Sequence, residues 1–264
     1  ASISVLPVSL KKKKNNLHQR PVLLAHDGQN CFTGERALAG TGWYLQDAIP
    51  RVSQALGIPE PIVIAPWNAG TNRGPEYAPE DALAADPLIA QGFFDWFRGR
   101  PELHGNAYAA WCAERVLPWL GTQYGVSLRR DSVAVMGSSM GGLASLYALA
   151  KRPDVFGTAL CLSTHWTPGG IRFPGACVDL LPAAGEHYLW FDHGDAGLDA
   201  SYAPFQELAD ARLEERGWTP YMESRVYAGA DHHERDWARR VDEALTFWLT
   251  RSLLGRSPRP ADAS

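Results

Sequence analysis

Short runs of apolar residues alternate along the chain with longer stretches in which apolar side chains recur at helical spacing. The runs Pro21–Ala25, Ile62–Pro66, Ser132–Met136, Thr158–Leu162, Tyr188–Asp192 and Tyr221–Tyr227 read as strands, and an opening strand runs from Ile3 to Val8. The stretches Gly42–Leu56, Gly105–Tyr124, Leu143–Lys151, Tyr202–Arg216 and Arg235–Leu253 read as helices. In the second of these, Tyr108, Trp111, Cys112, Arg115 and Val116 share one helical face, which Trp119 and Leu120 continue. Gly217, directly after Glu215-Arg216, is a helix stop. Strands that alternate with helices build βαβ units, so the expected fold class is α/β, with a mostly parallel central sheet flanked by helices. Such sheets bind ligands beyond the carboxyl ends of their strands. No repeat or second core interrupts the order, and residues 1–254 are expected to form one domain. The end, 255–264, is rich in Pro and Ser and is expected to be disordered.

The stretch from Asn68 to Gly105 is the least regular. It is rich in Gly and Pro and carries Phe93-Phe94-Asp95-Trp96-Phe97. Two readings stand side by side: a partial lid whose aromatics line a pocket, or a surface helix packing those aromatics on the core.

Composition narrows the function classes. With 264 residues, 45% of them hydrophobic, the chain can bury a full core. A formal net charge of −4 gives no electrostatic case for nucleic acid or an anionic membrane. The basic run Lys11 to Lys14 reads as a solvated turn between the first two strands. No stretch approaches the ~20 apolar residues of a membrane helix, and no signal peptide is visible. Cys31, Cys112, Cys161 and Cys177 are widely spaced, and Cys161 sits in a buried strand. Free thiols in a reducing compartment are therefore expected, and with them a cytoplasmic location.

The chemistry is concentrated where the strand Ser132–Met136 meets Gly137-Ser138-Ser139-Met140-Gly141 and a helix follows at once. A serine hydroxyl is a poor nucleophile unless the backbone holds it out of the sheet beside a base. A Gly-x-Ser-x-Gly strand-to-helix elbow does this, and it makes Ser139 the candidate nucleophile. The base and its carboxylate should follow in chain order. His232 and His233 sit after the last strand, at the same sheet edge as the elbow, and spacing does not choose between them. His193 is an outside candidate, and His187 precedes its strand and falls at the opposite edge. Asp192, Asp195 and Asp199 all lie at or after the strand Tyr188–Asp192, and Asp199 could instead cap the next helix. The histidines lack metal-ligand spacing, so neither a metal nor an organic cofactor is expected.

These residues resemble the putative-esterase family of α/β-hydrolases, which includes esterase D, enterochelin-type siderophore esterases and feruloyl or acetylxylan esterases. The likeness runs from about Pro21 to Leu253. It rests on His26-Asp27-Gly28-Gln29-Asn30, Arg73…Glu76-Tyr77-Ala78-Pro79 and Leu117-Pro118-Trp119, then Gly137-Ser138-Ser139-Met140-Gly141-Gly142, Gly194…Gly197-Leu198-Asp199 and His232…Trp237. The resemblance implies a three-layer α/β/α hydrolase fold. It makes Ser139 the nucleophile, Asp199 the acid ahead of a helix bearing Gln206, and His232 the base five positions before Trp237. It maps the oxyanion hole to the N–H groups of Met140 and Gln29. Arg73, Glu76 and Tyr77 match a pattern beside the family's active site, where they either hold a loop or orient substrate. Tyr77, Phe94, Trp96 and Trp166, with Arg73, are the candidate substrate contacts. The expected partner is a small-molecule ester, without nucleic acid or membrane. An acyltransferase using the same acyl-serine and a non-catalytic binding protein of the same fold are the alternatives. The short N-terminal region and Lys11–Lys14 depart from the family pattern.

Overall fold

The computed structural model describes residues 2–6, 17–37 and 39–253. Seven strands form one sheet in the order β1-β3-β2-β4-β5-β6-β7. They are β1 (Ile3–Leu6), β2 (Val22–Ala25), β3 (Ile62–Pro66), β4 (Val133–Ser138), β5 (Thr158–Leu162), β6 (Tyr188–Gly194) and β7 (Met222–Tyr227). Only β1 runs antiparallel, against β3, and every other pairing is parallel. The basic run Lys11–Lys14, the end of the expected first strand at residues 7–8 and the tail 255–264 lie outside the described residues.

Side chains alternate across the sheet with the period of two that a pleated strand imposes. Val22, Leu24, Val133, Val135 and Phe191 point into one apolar layer, and Leu23, Ala25, Ala134, Met136 and Trp190 into the other. The second layer is closed by α1 (Leu45–Leu56) and α10 (Glu234–Leu253), through Ile49, Val52, Val241 and Trp248. The first layer is closed by helices that include α5 (Gly105–Trp111), α6 (Leu117–Tyr124), α7 (Met140–Lys151), α8 (Phe173–Asp179) and α9 (Ala203–Glu215). The result is the three-layer α/β/α hydrolase fold. Each fully buried Val, Leu or Phe in these layers contributes about 1.5–3 kcal/mol. Among the described residues no helix is long and apolar enough to cross a membrane, and all four cysteines are free and buried.

Two stretches need closer description; for the first the sequence left a lid or a surface helix open, and the structure forms helix with Phe93 buried in the core. The irregular segment 68–105 is largely helical, with α2 (Arg73–Glu76), α3 (Glu80–Ala85) and α4 (Pro87–Phe97). Its start signal was local: Asp86 accepts the N–H of Leu88 at 2.8 Å as N-cap, and Pro87 occupies the first helical position. The helix expected over Gly105–Tyr124 loosens to a π-turn over Cys112–Val116 before α6. Pro118 has no N–H to give the preceding turn, so the backbone widens just ahead of it.

Candidate active site

The turn from β4 into α7 sets Ser139 apart from its neighbours. Ser138 and Met140 are buried, whereas Ser139 is half-exposed at φ 59°, ψ −125°, a strained conformation for a non-glycine residue. The glycines make the turn possible. A Cβ on Gly137 would stand 2.5 Å from the Gly141 carbonyl oxygen, and one on Gly142 would stand 2.8 Å from Thr164 Oγ1. The end of β5 and the loop after it brace the turn: Ser139 N–H donates to Leu162 O at 2.9 Å, and the N–H of His165 donates to Ser139 O at 3.2 Å. The Ser139 hydroxyl makes no hydrogen bond among the described residues.

Two further loops reach this sheet edge. After β6, a short 3-10 turn (Gly197–Ser201) carries Asp199, which is fully buried. After β7, residues 228–233 carry His232, whose Nδ1 lies 2.6 Å from Asp199 Oδ1. The other carboxylate oxygen accepts Ser163 Oγ–H at 2.5 Å and the Gly194 N–H at 2.8 Å. Burial would raise the Asp199 carboxyl, but the hydrogen bonds from His232, Ser163 and Gly194 outweigh it and hold the group below the usual carboxylate range. The His232 ring packs edge-on against Trp237, with centroids 4.9 Å apart, and against Tyr202 at 5.4 Å.

The neighbours left open by the sequence have other partners. His233 accepts the Arg235 N–H at 3.1 Å at the start of α10. His193 donates Nδ1–H to the Gly194 carbonyl, and His187 bonds Pro153 O through Nε2. Asp192 is buried against Arg240 and Trp190, and exposed Asp195 accepts the Gly229 N–H. The Asp199 side chain caps no helix, because its oxygens are taken by His232, Ser163 and Gly194.

The loop after β2 holds Gln29. Asp27, at φ 55°, accepts from Asn68 Nδ2 at 2.6 Å and from Arg73 Nε and Nη2 at 2.7 and 2.8 Å. Arg73 Nη2 also reaches the Ser138 carbonyl at 3.4 Å, tying this loop to the elbow. Tyr77 is buried and accepts the Asp27 N–H, so Arg73 and Tyr77 hold the loop.

The aromatic candidates divide. Trp96 is 46% exposed and meets the His165 ring edge-on at 5.1 Å. Trp166, by contrast, is 1% exposed, packs on Phe173 and Phe191, and donates Nε1–H to Gln206, so it is a core residue with no face left for substrate. Phe94 is half-buried under the Arg100 guanidinium. One site neighbour escaped the sequence reading. The His165 ring lies 6.1 Å from that of His232 and is bonded to Tyr202. Burial, then the nearby His232, pushes its pKa down to about 3, so it stays neutral. Its signal was its place just past β5, at the edge where the elbow also lies.

A sequence profile described as putative esterase matches residues 99–248. The chain belongs to this family. As a member it is a carboxylic ester hydrolase. No curated protein sequence matches the chain. Among solved structures, a ferulic acid esterase aligns at TM-score 0.64 and 18% identity, covering 95% of this chain and 92% of that one. The enterobactin esterase FES of Shigella flexneri, solved with 2,3-dihydroxy-N-benzoyl-glycine, aligns at TM-score 0.62 and 16% identity over 88% of this chain. Only 53% of the Shigella protein's length is covered. The BES protein of Bacillus cereus aligns at TM-score 0.62 and 14% identity, covering 93% and 88%. At these identities the likeness is one of fold.

Proposed function

We propose that this esterase cleaves a small-molecule carboxylic ester through an acyl-serine intermediate, with Ser139 as nucleophile, His232 as base and Asp199 as acid. The observation that carries the reading is the 2.6 Å contact between His232 Nδ1 and the buried Asp199 carboxylate, at the sheet edge where the elbow turns. An ionised carboxylate can only accept, so His232 bears its proton on Nδ1 and keeps the Nε2 lone pair free. Nε2 takes the hydroxyl proton as Ser139 Oγ attacks the ester carbonyl. Asp199 stays ionised and stabilises the imidazolium.

The oxyanion then rests on backbone N–H groups. Met140 opens α7, so its N–H has no intrahelical acceptor and sits at the positive end of the helix dipole. The N–H of Gln29, which has no acceptor among the described residues, belongs to the loop after β2 at the same edge. Each such donor is worth about 3–4 kcal/mol in the transition state. Collapse expels the alcohol, which takes its proton from His232. Water, deprotonated by the same ring, then attacks the acyl-serine and releases the acid.

Trp96, half-exposed against His165, whose ring stands beside that of His232, supports a substrate contact next to the triad. Ser139→Ala should abolish turnover of p-nitrophenyl acetate with the melting temperature unchanged. Activity near the parent level in that variant would refute the reading.

A further inference from the structure

Behind Asp199 lies a buried polar chain that the ester-cleavage reading does not use. Arg240, 3% exposed on α10, donates Nε–H to Asp192 Oδ1 at 2.9 Å and Nη2–H to Ser163 Oγ at 2.6 Å. Nη2 also lies 3.7 Å from Asp199 Oδ2. Trp237, one turn earlier on the same helix, donates Nε1–H to the same Ser163 oxygen at 2.9 Å. Arginine and tryptophan can only donate, and a hydroxyl oxygen has two lone pairs and one proton. With both lone pairs taken, the Ser163 proton has one place to go, Asp199 Oδ2 at 2.5 Å. The Gly194 N–H fills the rest of that oxygen. Oδ1 is thereby left to face the imidazole.

From this we infer that Arg240, acting through Ser163, is a positioning residue for the proposed Ser139–His232–Asp199 chemistry: it fixes which carboxylate oxygen meets His232 and sets how strongly Asp199 holds the imidazolium. The inference rests on that triad reading. Ser163 is held at φ 41°, a conformation that costs a non-glycine residue energy and aims its hydroxyl into the chain of bonds. The Arg240 charge is the lever. Placed 3.7 Å from Asp199 Oδ2, it opposes the negative charge that the carboxylate presents to the imidazolium. The other groups around His232 are His165 and Tyr202 on its ring face and Asp231, whose carboxylate accepts the His232 N–H. Asp192 lies behind Arg240, and the Arg73 charge acts on His165. Of these only Asp192 bonds Arg240 directly, and Ser163→Ala leaves that pair intact.

The test compares Arg240→Met and Arg240→Lys with the parent, using steady-state hydrolysis of p-nitrophenyl acetate from about pH 5 to about pH 9. Removing the charge should move the acid limb of kcat/KM up by about half to one pH unit and lower kcat about tenfold, with KM within about twofold of the parent. Lysine keeps the charge but not the planar fork, so kcat should fall while the acid limb stays in place. A folded Arg240→Met whose acid limb coincides with the parent's overturns the inference, as does an Arg240→Lys limb that shifts as far as that of Met. Should Arg240→Met fail to fold, Ser163→Ala gives the same readout: loss of the Asp199 donor should raise the acid limb, and an unmoved limb overturns the inference. Failure of the triad reading would look different, as turnover surviving Ser139→Ala.

Discussion

The guanidinium of Arg73 closes on the Asp27 carboxylate through two bonds of 2.7 and 2.8 Å, and its Nη2 also reaches the Ser138 carbonyl at 3.4 Å. One side chain therefore joins the loop bearing Gln29 to the elbow bearing Ser139. The Asp27 side chain is 5% exposed, so deleting its partner leaves a buried charge unopposed. Arg73→Ala should cost about 3 kcal/mol in urea unfolding, within the range for breaking a buried pair. It should also lower kcat, because the loop carrying Gln29, the proposed oxyanion donor, loses its anchor. An unfolding midpoint equal to the parent's would show that the pair adds nothing.

Trp96 and Trp166 should respond in opposite ways to the same substitution. Trp96→Ala removes a half-exposed ring beside His165, the proposed substrate contact, and it should raise KM for bulky esters with little change in stability. Trp166→Ala opens a cavity under β5 and β6 and should cost about 3–5 kcal/mol by denaturation. Equal stability losses in the two variants would contradict this division.

The elbow glycines are tested by one added methyl group. Gly137→Ala sets a Cβ 2.5 Å from a backbone oxygen of Gly141, which cannot yield without moving the first turn of α7. A loss of about 3 kcal/mol and a displaced Ser139 should follow. Gly142→Ala meets mainly the Thr164 side chain at 2.8 Å, which can rotate, so it should lose less. The order of the two melting temperatures checks the argument.

Stability should fall as the solution is acidified from neutral. His26 and His165 are buried, and burial drops their pKa values from 6.5 to about 4 and about 3. Below about pH 6.5 the unfolded chain takes up protons on both rings while the folded chain does not, so acid favours unfolding. This stabilisation is complete above that pH and is lost as the pH falls toward the folded values. Asp27 and Asp199, held below their ordinary range by Arg73 and by His232 with its neighbours, extend the loss at lower pH. Melting temperatures recorded across the range should decline steadily from about pH 6.5 downward, and a flat profile would contradict the burial argument.

Much of this was legible in the chain. Apolar runs located β2 to β6 within a residue or two, because parallel strands buried on both faces leave little room for polar side chains. Gly137 to Gly142 announced the elbow because only glycine tolerates such close approach of strand and helix. The helices of 68–105 were hidden by their brevity and by glycines and prolines that usually mark loops, although Asp86-Pro87 signalled the start of α4. The choice of Asp199 over Asp192 and Asp195 rested on resemblance, since all three lie within eight residues of one another. Only the partners separate them: an arginine, a backbone N–H and an imidazole. Trp166 read as a pocket residue because periodicity cannot tell a ring facing a cleft from one facing the core two strands away. Arg240 and Ser163 gave no signal, because contacts spanning 77 residues are not written in local spacing.

The most direct measurement is to mix the protein with excess p-nitrophenyl acetate, quench early and map the acylated peptide by mass spectrometry. The account predicts one acetyl group, on Ser139, that builds up in a burst and disappears with turnover. An unmodified Ser139 during active hydrolysis, or the acetyl group on another residue, would contradict it.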